Sequence, residues 1–287
     1  MDAMAWLYEC EITWSVIDRS GERPRILATS GRYVNPVNER RQAMCGQGMP
    51  AANTGVKIFR YLLTLKLEGQ ADNAERILHD DVTAKEIRER INHLAVAKDI
   101  SRLMGHEGQA ADVYWQAWKD LPVMWNGKQP SQPHWLRYPS RRTLRRDWES
   151  NRNATDPINA MLNFGYHCAE VECILACYAA ALSPAMGIGH VDDPTRASFA
   201  LDLIEVMRPE VDRIILGIMC EMLDTRTFRE LTGVKMGGVV QVQAPLTHRI
   251  QAEVHTAAIA ITKALFTVTK MLDSPQSRRA GIKDDSD

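Results

Sequence analysis

Apolar residues recur at helical spacing along most of this chain, and at strand spacing only near its start. Ile12, Trp14 and Val16 alternate with Glu11, Thr13 and Ser15; Asp18-Arg19-Ser20-Gly21 is a turn sequence, and Arg25–Thr29 reads as a second strand. A hairpin this small is marginal alone, so it must pack on the helical body or on another subunit. From Arg40 the period lengthens to about 3.6 residues. Val56, Phe59, Leu62, Leu63, Leu65 and Leu67 mark a helix that ends near Gly69. The next begins at Thr83, with Glu86 at capping-box spacing, and carries Ile87, Ile91, Leu94 and Ile100 as far as Met104. Gly105-His106-Glu107-Gly108 then predicts a break, because glycines are costly inside a helix. Glu107 would open the following helix, Gln109–Trp118. Thr155-Asp156-Pro157 starts another helix, which runs toward Leu182 and stops at Ser183-Pro184. Short helices around Leu201–Arg208 and over Val211–Leu223, a strand at Val239–Val242 and a last helix over Leu246–Leu272 complete the series. The expected fold class is mainly α. A small N-terminal β element covers residues 1–38, a helical domain 39–272, and a polar tail expected to be disordered 273–287.

Composition narrows this picture little. The 287 residues are 45% apolar, enough for a sizeable core in one large domain or two ordinary ones. A net charge of −1 excludes a uniformly basic coat but leaves room for local patches. Six cysteines without a CxxC pair read as reduced thiols of a cytoplasmic protein, and Cys173 and Cys177 as packed thiols rather than a zinc site. No apolar run reaches bilayer length and the start lacks a basic leader, so neither a membrane span nor a secretory signal is expected. The most basic stretch is Leu121–Asn153, with seven Lys/Arg against two acids. It holds Trp125, Trp135, Trp148 and the run Arg141-Arg142-Thr143-Leu144-Arg145-Arg146. Arginines among aromatics suit a phosphate backbone and unpaired bases; a solvated loop has the same composition.

The candidate chemistry gathers in Pro184–Pro209. Between Arg196 and Arg208 the only charged residues are Asp202 and Glu205, set among Phe199, Leu201, Leu203, Ile204, Val206 and Met207. Three residues apart, they share a helical face. Charges in such a setting need compensation. A divalent metal with His190 from the preceding loop, an ion pair with Arg208 or Arg213, and a narrow solvent-facing stripe would each serve. Glu107, read locally, is a first-turn carboxylate interacting with a helix dipole.

Four motifs in one order change the weight of these readings. They are His106-Glu107-Gly108-Gln109 leading to Tyr114-Trp115, Asp156-Pro-Ile-Asn-Ala-Met-Leu-Asn-Phe-Gly-Tyr166, the His190 loop, and Phe199-Ala-Leu-Asp-Leu-Ile-Glu-Val-Met-Arg-Pro209. Together, over roughly Ile12–Val242, they resemble the CRISPR-associated spacer-acquisition integrases, the Cas1 family. The resemblance implies a helical catalytic domain that performs strand transfer, a DNA 3′-hydroxyl attacking a phosphodiester, with endonuclease activity from the same site. It places metal ligands at Glu107, His190 and Glu205, with Asp202 as a further acid of the catalytic set, and Mg²⁺ or Mn²⁺ as cofactor. It implies prespacer and CRISPR-repeat duplex DNA as partners, and the basic stretch would then supply phosphate contacts from Arg137, Arg141, Arg142, Arg145 and Arg146. A homo-oligomer, dimer or tetramer, is implied too, with or without a second adaptation protein. The β element looks shortened relative to the family, as in the compact integrases of minimal CRISPR systems. A transposon-encoded integrase of the same fold, a non-catalytic DNA-holding subunit and a generic helical metallohydrolase are the rival readings.

Overall fold

The computed structural model describes residues 6–7, 10, 14–16, 26–28, 35–127, 129–141, 153–231 and 238–273. Strands β1 (Trp14–Val16) and β2 (Ile26–Ala28) pair antiparallel, with Trp14 opposite Ala28. Eight helices follow among the described residues: α1 (Pro36–Met44), α2 (Ala52–Arg76), α3 (Asp81–Val96), α4 (Ile100–Trp118), α5 (Pro157–Ala179), α6 (Ser198–Met219), α7 (Leu246–Ala257) and α8 (Ile259–Leu272). Between α6 and α7 lies a second antiparallel pair, β3 (Phe228–Glu230) with β4 (Val240–Val242). The fold is thus mainly α with small β elements. The hairpin turn at 18–21 and the tail beyond Asp273 lie outside the described residues.

Local chemistry sets the helix starts. Asp80, Asp99 and Asp156 each accept a hydrogen bond from the backbone N–H three residues on, at 2.9, 2.8 and 2.9 Å. Asp80 therefore caps α3, and Thr83, expected to be the cap, supplies the N–H. The break between α3 and α4 falls at Ala97–Asp99 rather than at the glycines. Helix α4 runs unbroken through Gly105 and Gly108, where an added Cβ would meet open space. These glycines cost propensity only, and the packing of Leu103, Ala110, Tyr114 and Trp118 into the core outweighs it.

Helices α2, α5 and α6 carry the centre of the core, with α3 and α4 against α2 and α7 against α5 and α6. Two sequence expectations fail at one place. Helix α2 continues past Gly69, and α6 continues through Pro209, joining what reads as two helices. The reason is their crossing. A Cβ on Gly69 would lie 2.6 Å from Pro209 Cγ, so glycine on one helix makes room for proline on the other. Asn73 Nδ2, one turn further along α2, donates to the Pro209 carbonyl at 2.8 Å.

Candidate active site

The crossing of α2 and α6 brings charged groups into the interior. Lys66 lies one turn before Gly69, and Glu205 one turn before Pro209. The Lys66 ammonium donates to Glu205 Oε2 and to Glu107 Oε1 of α4. Side chains of Lys66 and Glu205 are each 7% exposed, that of Glu107 19%. Arg208 Nε takes the other Glu205 oxygen at 2.9 Å. Burial alone would raise the Glu205 carboxyl, but Arg208 and Lys66 outweigh it and hold the group down at about 2. Burial likewise opposes the Lys66 charge, and Glu205 and Glu107 prevail and push its pKa up.

One turn before Glu205, Asp202 is fully buried and faces the loop that precedes α6. Its Oδ2 accepts from the backbone N–H groups of Ile188 and Gly189 at 2.6 and 3.0 Å. Its Oδ1 accepts from His190 N at 2.9 Å and from His190 Nδ1 at 2.7 Å. A carboxylate only accepts, so Nδ1 carries a proton, and in the neutral imidazole the lone pair is at Nε2. Asp202 thus orients His190 through both its backbone N–H and its ring.

Uncharged groups moor the same loop from behind. The buried Gln42 of α1 donates to the Ser183 and Met186 carbonyls at 2.8 and 2.9 Å and accepts from Ser183 N at 3.1 Å. Gln47 donates to the Gly189 carbonyl at 3.2 Å. Gly189 packs so closely on Phe59 that an added Cβ would sit 2.2 Å from its ring.

The polar residues of the Asp156–Tyr166 motif form one stripe on α5. Asn159 and Asn163 accept from the two terminal nitrogens of Arg141, each at 2.9 Å. The Tyr166 hydroxyl donates to Asp212 Oδ1 on α6. Arg141 and Arg208 both approach its ring, their guanidinium carbons 5.5 and 5.0 Å from the centroid. Asp212 is fully buried, its Oδ2 has no hydrogen-bond partner, and burial raises its carboxyl to about 6.

Residues 1–238 match the family described as CRISPR associated protein Cas1. The chain belongs to the Cas1 family. It is 26% identical over 261 residues to CRISPR-associated endonuclease Cas1 2 of Pyrobaculum aerophilum, covering 88% of this chain and 79% of that one. Among solved structures, a Cas1 protein from Thermotoga maritima superposes with a TM-score of 0.72 at 17% identity, over 94% of this chain and 81% of that one. A casposase bound to integration product gives a TM-score of 0.71 at 18% identity, over 99% and 79%. These two likenesses describe the fold.

Against the Cas1 site implied by the sequence, the structure forms two adjoining pairs: Glu107 with Glu205 through Lys66, and His190 with Asp202. Among the described residues, no three His, Cys, Asp or Glu side chains come together closely enough to hold an ion. The donor types nonetheless fit a hard divalent cation. Two carboxylates already share the Lys66 ammonium, and the adjoining turn of α6 carries Asp202, which holds an imidazole from the preceding loop. Glu107 sits mid-helix, so the helix-dipole reading does not apply. Arg208 supplies the ion pair that was one alternative for Glu205, whereas Arg213 pairs with Glu210 at 2.9 Å. Of the five arginines expected on DNA, Arg142, Arg145 and Arg146 lie outside the described residues. Arg141 is engaged by Asn159 and Asn163, and Arg137 donates to the Asp120 carbonyl at 2.9 Å. Trp135 is buried and stacks with Trp125 at 6.1 Å, so it is not a platform for a base; Trp148 is outside the described residues. Cys173 and Cys177 are buried thiols, as expected, with burial pushing both upward. No helix among the described residues is long and apolar enough to cross a membrane.

Sequence reasoning missed Lys66. The signal was there: Lys66, Gln70 and Asn73 place polar groups at helical spacing on the face of α2 that Leu62, Leu63 and Leu67 mark as buried.

Proposed function

We propose that this chain is a metal-dependent DNA integrase of CRISPR adaptation, with endonuclease activity from the same site. The carrying observation is the meeting of Glu107 and Glu205, far apart in sequence, on the Lys66 ammonium, one helical turn from the buried Asp202 that orients His190. In a Cas1-family chain, this supports a strand-transfer site at these residues.

The reaction is an exchange of phosphodiesters. The 3′-hydroxyl of a prespacer attacks phosphorus at the edge of a CRISPR repeat, one P–O bond forms, another breaks, and the displaced 3′-oxygen leaves as a hydroxyl. Water in place of the 3′-hydroxyl gives hydrolysis. Mg²⁺ or Mn²⁺ held by Glu107, His190 and Glu205 would supply charge for the phosphate oxygens. The chain's own contribution is positional. Asp202 fixes the tautomer and direction of the imidazole, and the α2–α6 crossing sets where Lys66 meets Glu205. Arg208 keeps Glu205 ionised at every pH of interest. The basic stretch at 128–152 would hold DNA phosphates, and a homo-oligomer would present that stretch more than once.

The test is strand transfer with purified protein, a short duplex bearing 3′-hydroxyl ends, and a supercoiled plasmid carrying a repeat. Joining that requires Mg²⁺ or Mn²⁺ and disappears in Glu107→Ala is expected. Absence of joining in wild type, even after a second adaptation protein and a DNA-bending protein are added, would overturn the proposal.

A further inference from the structure

Within the cluster of Glu107, Glu205, Lys66 and Arg208 the formal charges balance without any ion. Glu107 and Glu205 carry two negative charges, and Lys66 and Arg208 carry two positive ones. The two cations are not equivalent. Arg208 binds Glu205 from its own helix, three residues on, through one oxygen only. Lys66 reaches in from α2 and is the only one of the two that touches both carboxylates. It does what a bridging divalent cation does, with one charge instead of two. A flexible four-carbon stem lets an ammonium withdraw while the carboxylates stay in place. An ion seated on the same oxygens would face that ammonium at contact distance, a strongly repulsive arrangement in a site shielded from water.

We propose that Lys66 is an internal counter-cation that holds Glu107 and Glu205 in register until metal arrives, and that its ammonium and the divalent ion exclude each other on these carboxylates. The inference rests on the metal-dependent reading above. Exchange of one charge for two leaves the site with excess positive charge, which the phosphate of bound DNA neutralises. Metal and DNA therefore bind cooperatively, each tightening the other by the same factor. The displaced ammonium stays near the same phosphate.

The test is Mn²⁺ affinity, read by electron paramagnetic resonance without DNA, for wild type, Lys66→Met and Glu107→Gln. Removing the competitor tightens Mn²⁺ binding by at least about tenfold in Lys66→Met, and Glu107→Gln loses the site. Equal or weaker binding in Lys66→Met, with Glu107→Gln still abolishing it, would overturn the role of Lys66 and leave the metal site standing. If neither wild type nor Lys66→Met binds Mn²⁺ in a Glu107-dependent way, the metal reading and this inference fall together. Should Lys66→Met not fold, wild-type crystals grown with Mn²⁺ decide. The ammonium is expected to have left both carboxylates, and an ion on Glu107 and Glu205 with Lys66 still bonded to both would refute the exchange.

Discussion

Replacing Gly69 by alanine tests whether the α2–α6 crossing sets the site. The new Cβ would stand 2.6 Å from Pro209 Cγ and 2.7 Å from Pro209 Cβ. Carbon atoms in comfortable contact are about 3.5–4.0 Å apart, so the helices must separate by about 1 Å. Overpacking of this kind costs roughly 1–3 kcal/mol. Alanine regains about 1 kcal/mol of helix propensity over glycine, which leaves a net loss of about 0–2 kcal/mol. Function should suffer more than stability. Lys66 and Glu205 each sit one turn from the clash, so the displacement is delivered to their contact, and a misplacement of about 1 Å can cost about 100-fold in rate. Urea unfolding with a strand-transfer assay separates the two effects. Gly217→Ala, on the same α6 but with nothing within 4 Å of the new Cβ, is the control and should be neutral or stabilising. A Gly69→Ala protein that gains the full propensity increment and joins DNA at the wild-type rate would show that the crossing does not govern the site.

Three further outcomes follow from the buried carboxylates. Asp202→Ala strips the acceptor from three backbone N–H groups and from His190 Nδ1, and at about 1–3 kcal/mol for each donor left unpaired the protein should lose more than about 3 kcal/mol in thermal unfolding. His190→Ala should remain near wild type, and equal stability of the two variants would sink the assignment. Glu205, depressed to about 2, contributes stability that is present above pH 4.5 and lost as pH falls toward 2, on the order of 3 kcal/mol. Glu205→Gln should remove that acid-side slope from a stability–pH profile. Asp212 acts in the opposite sense, because its carboxyl is raised to about 6 and the folded state binds the proton more tightly between pH 3.8 and 6. Wild type therefore loses up to about 3 kcal/mol as pH rises through that window, Asp212→Asn does not, and superimposable profiles would show that the buried carboxylate titrates normally.

Much of the site was legible because its residues break a pattern. Asp202 and Glu205 stand out as the only charges between Arg196 and Arg208, and Asp156-Pro157 announces a helix start by local chemistry alone. What stayed hidden depends on partners distant in sequence. That Pro209 lies within a helix is decided by Gly69 across the interface. That Gly105 and Gly108 do not end α4 is decided by the core residues on its other face. The separate duties of Asp202 and Glu205 cannot follow from their spacing, since one finds a loop's backbone and the other a lysine of α2. Thr83 reads as a cap through its spacing to Glu86, but the chain enters α3 three residues earlier and Asp80 is the cap.

The loop that presents His190 is moored to α1 and to the turn after it by carboxamides bonded to peptide groups. Gln42 and Gln47 hold it at Ser183, Met186 and Gly189. Such bonds join groups without net charge, so ionic strength leaves them almost untouched. Contacts with nucleic-acid phosphates weaken steeply as salt is added. The grip on a charged polymer and the rigidity of the histidine loop thus answer to different variables. If the chain grips DNA as proposed, a salt titration would release the polymer well before it loosened the loop, and the released protein would keep its histidine in place for the next encounter.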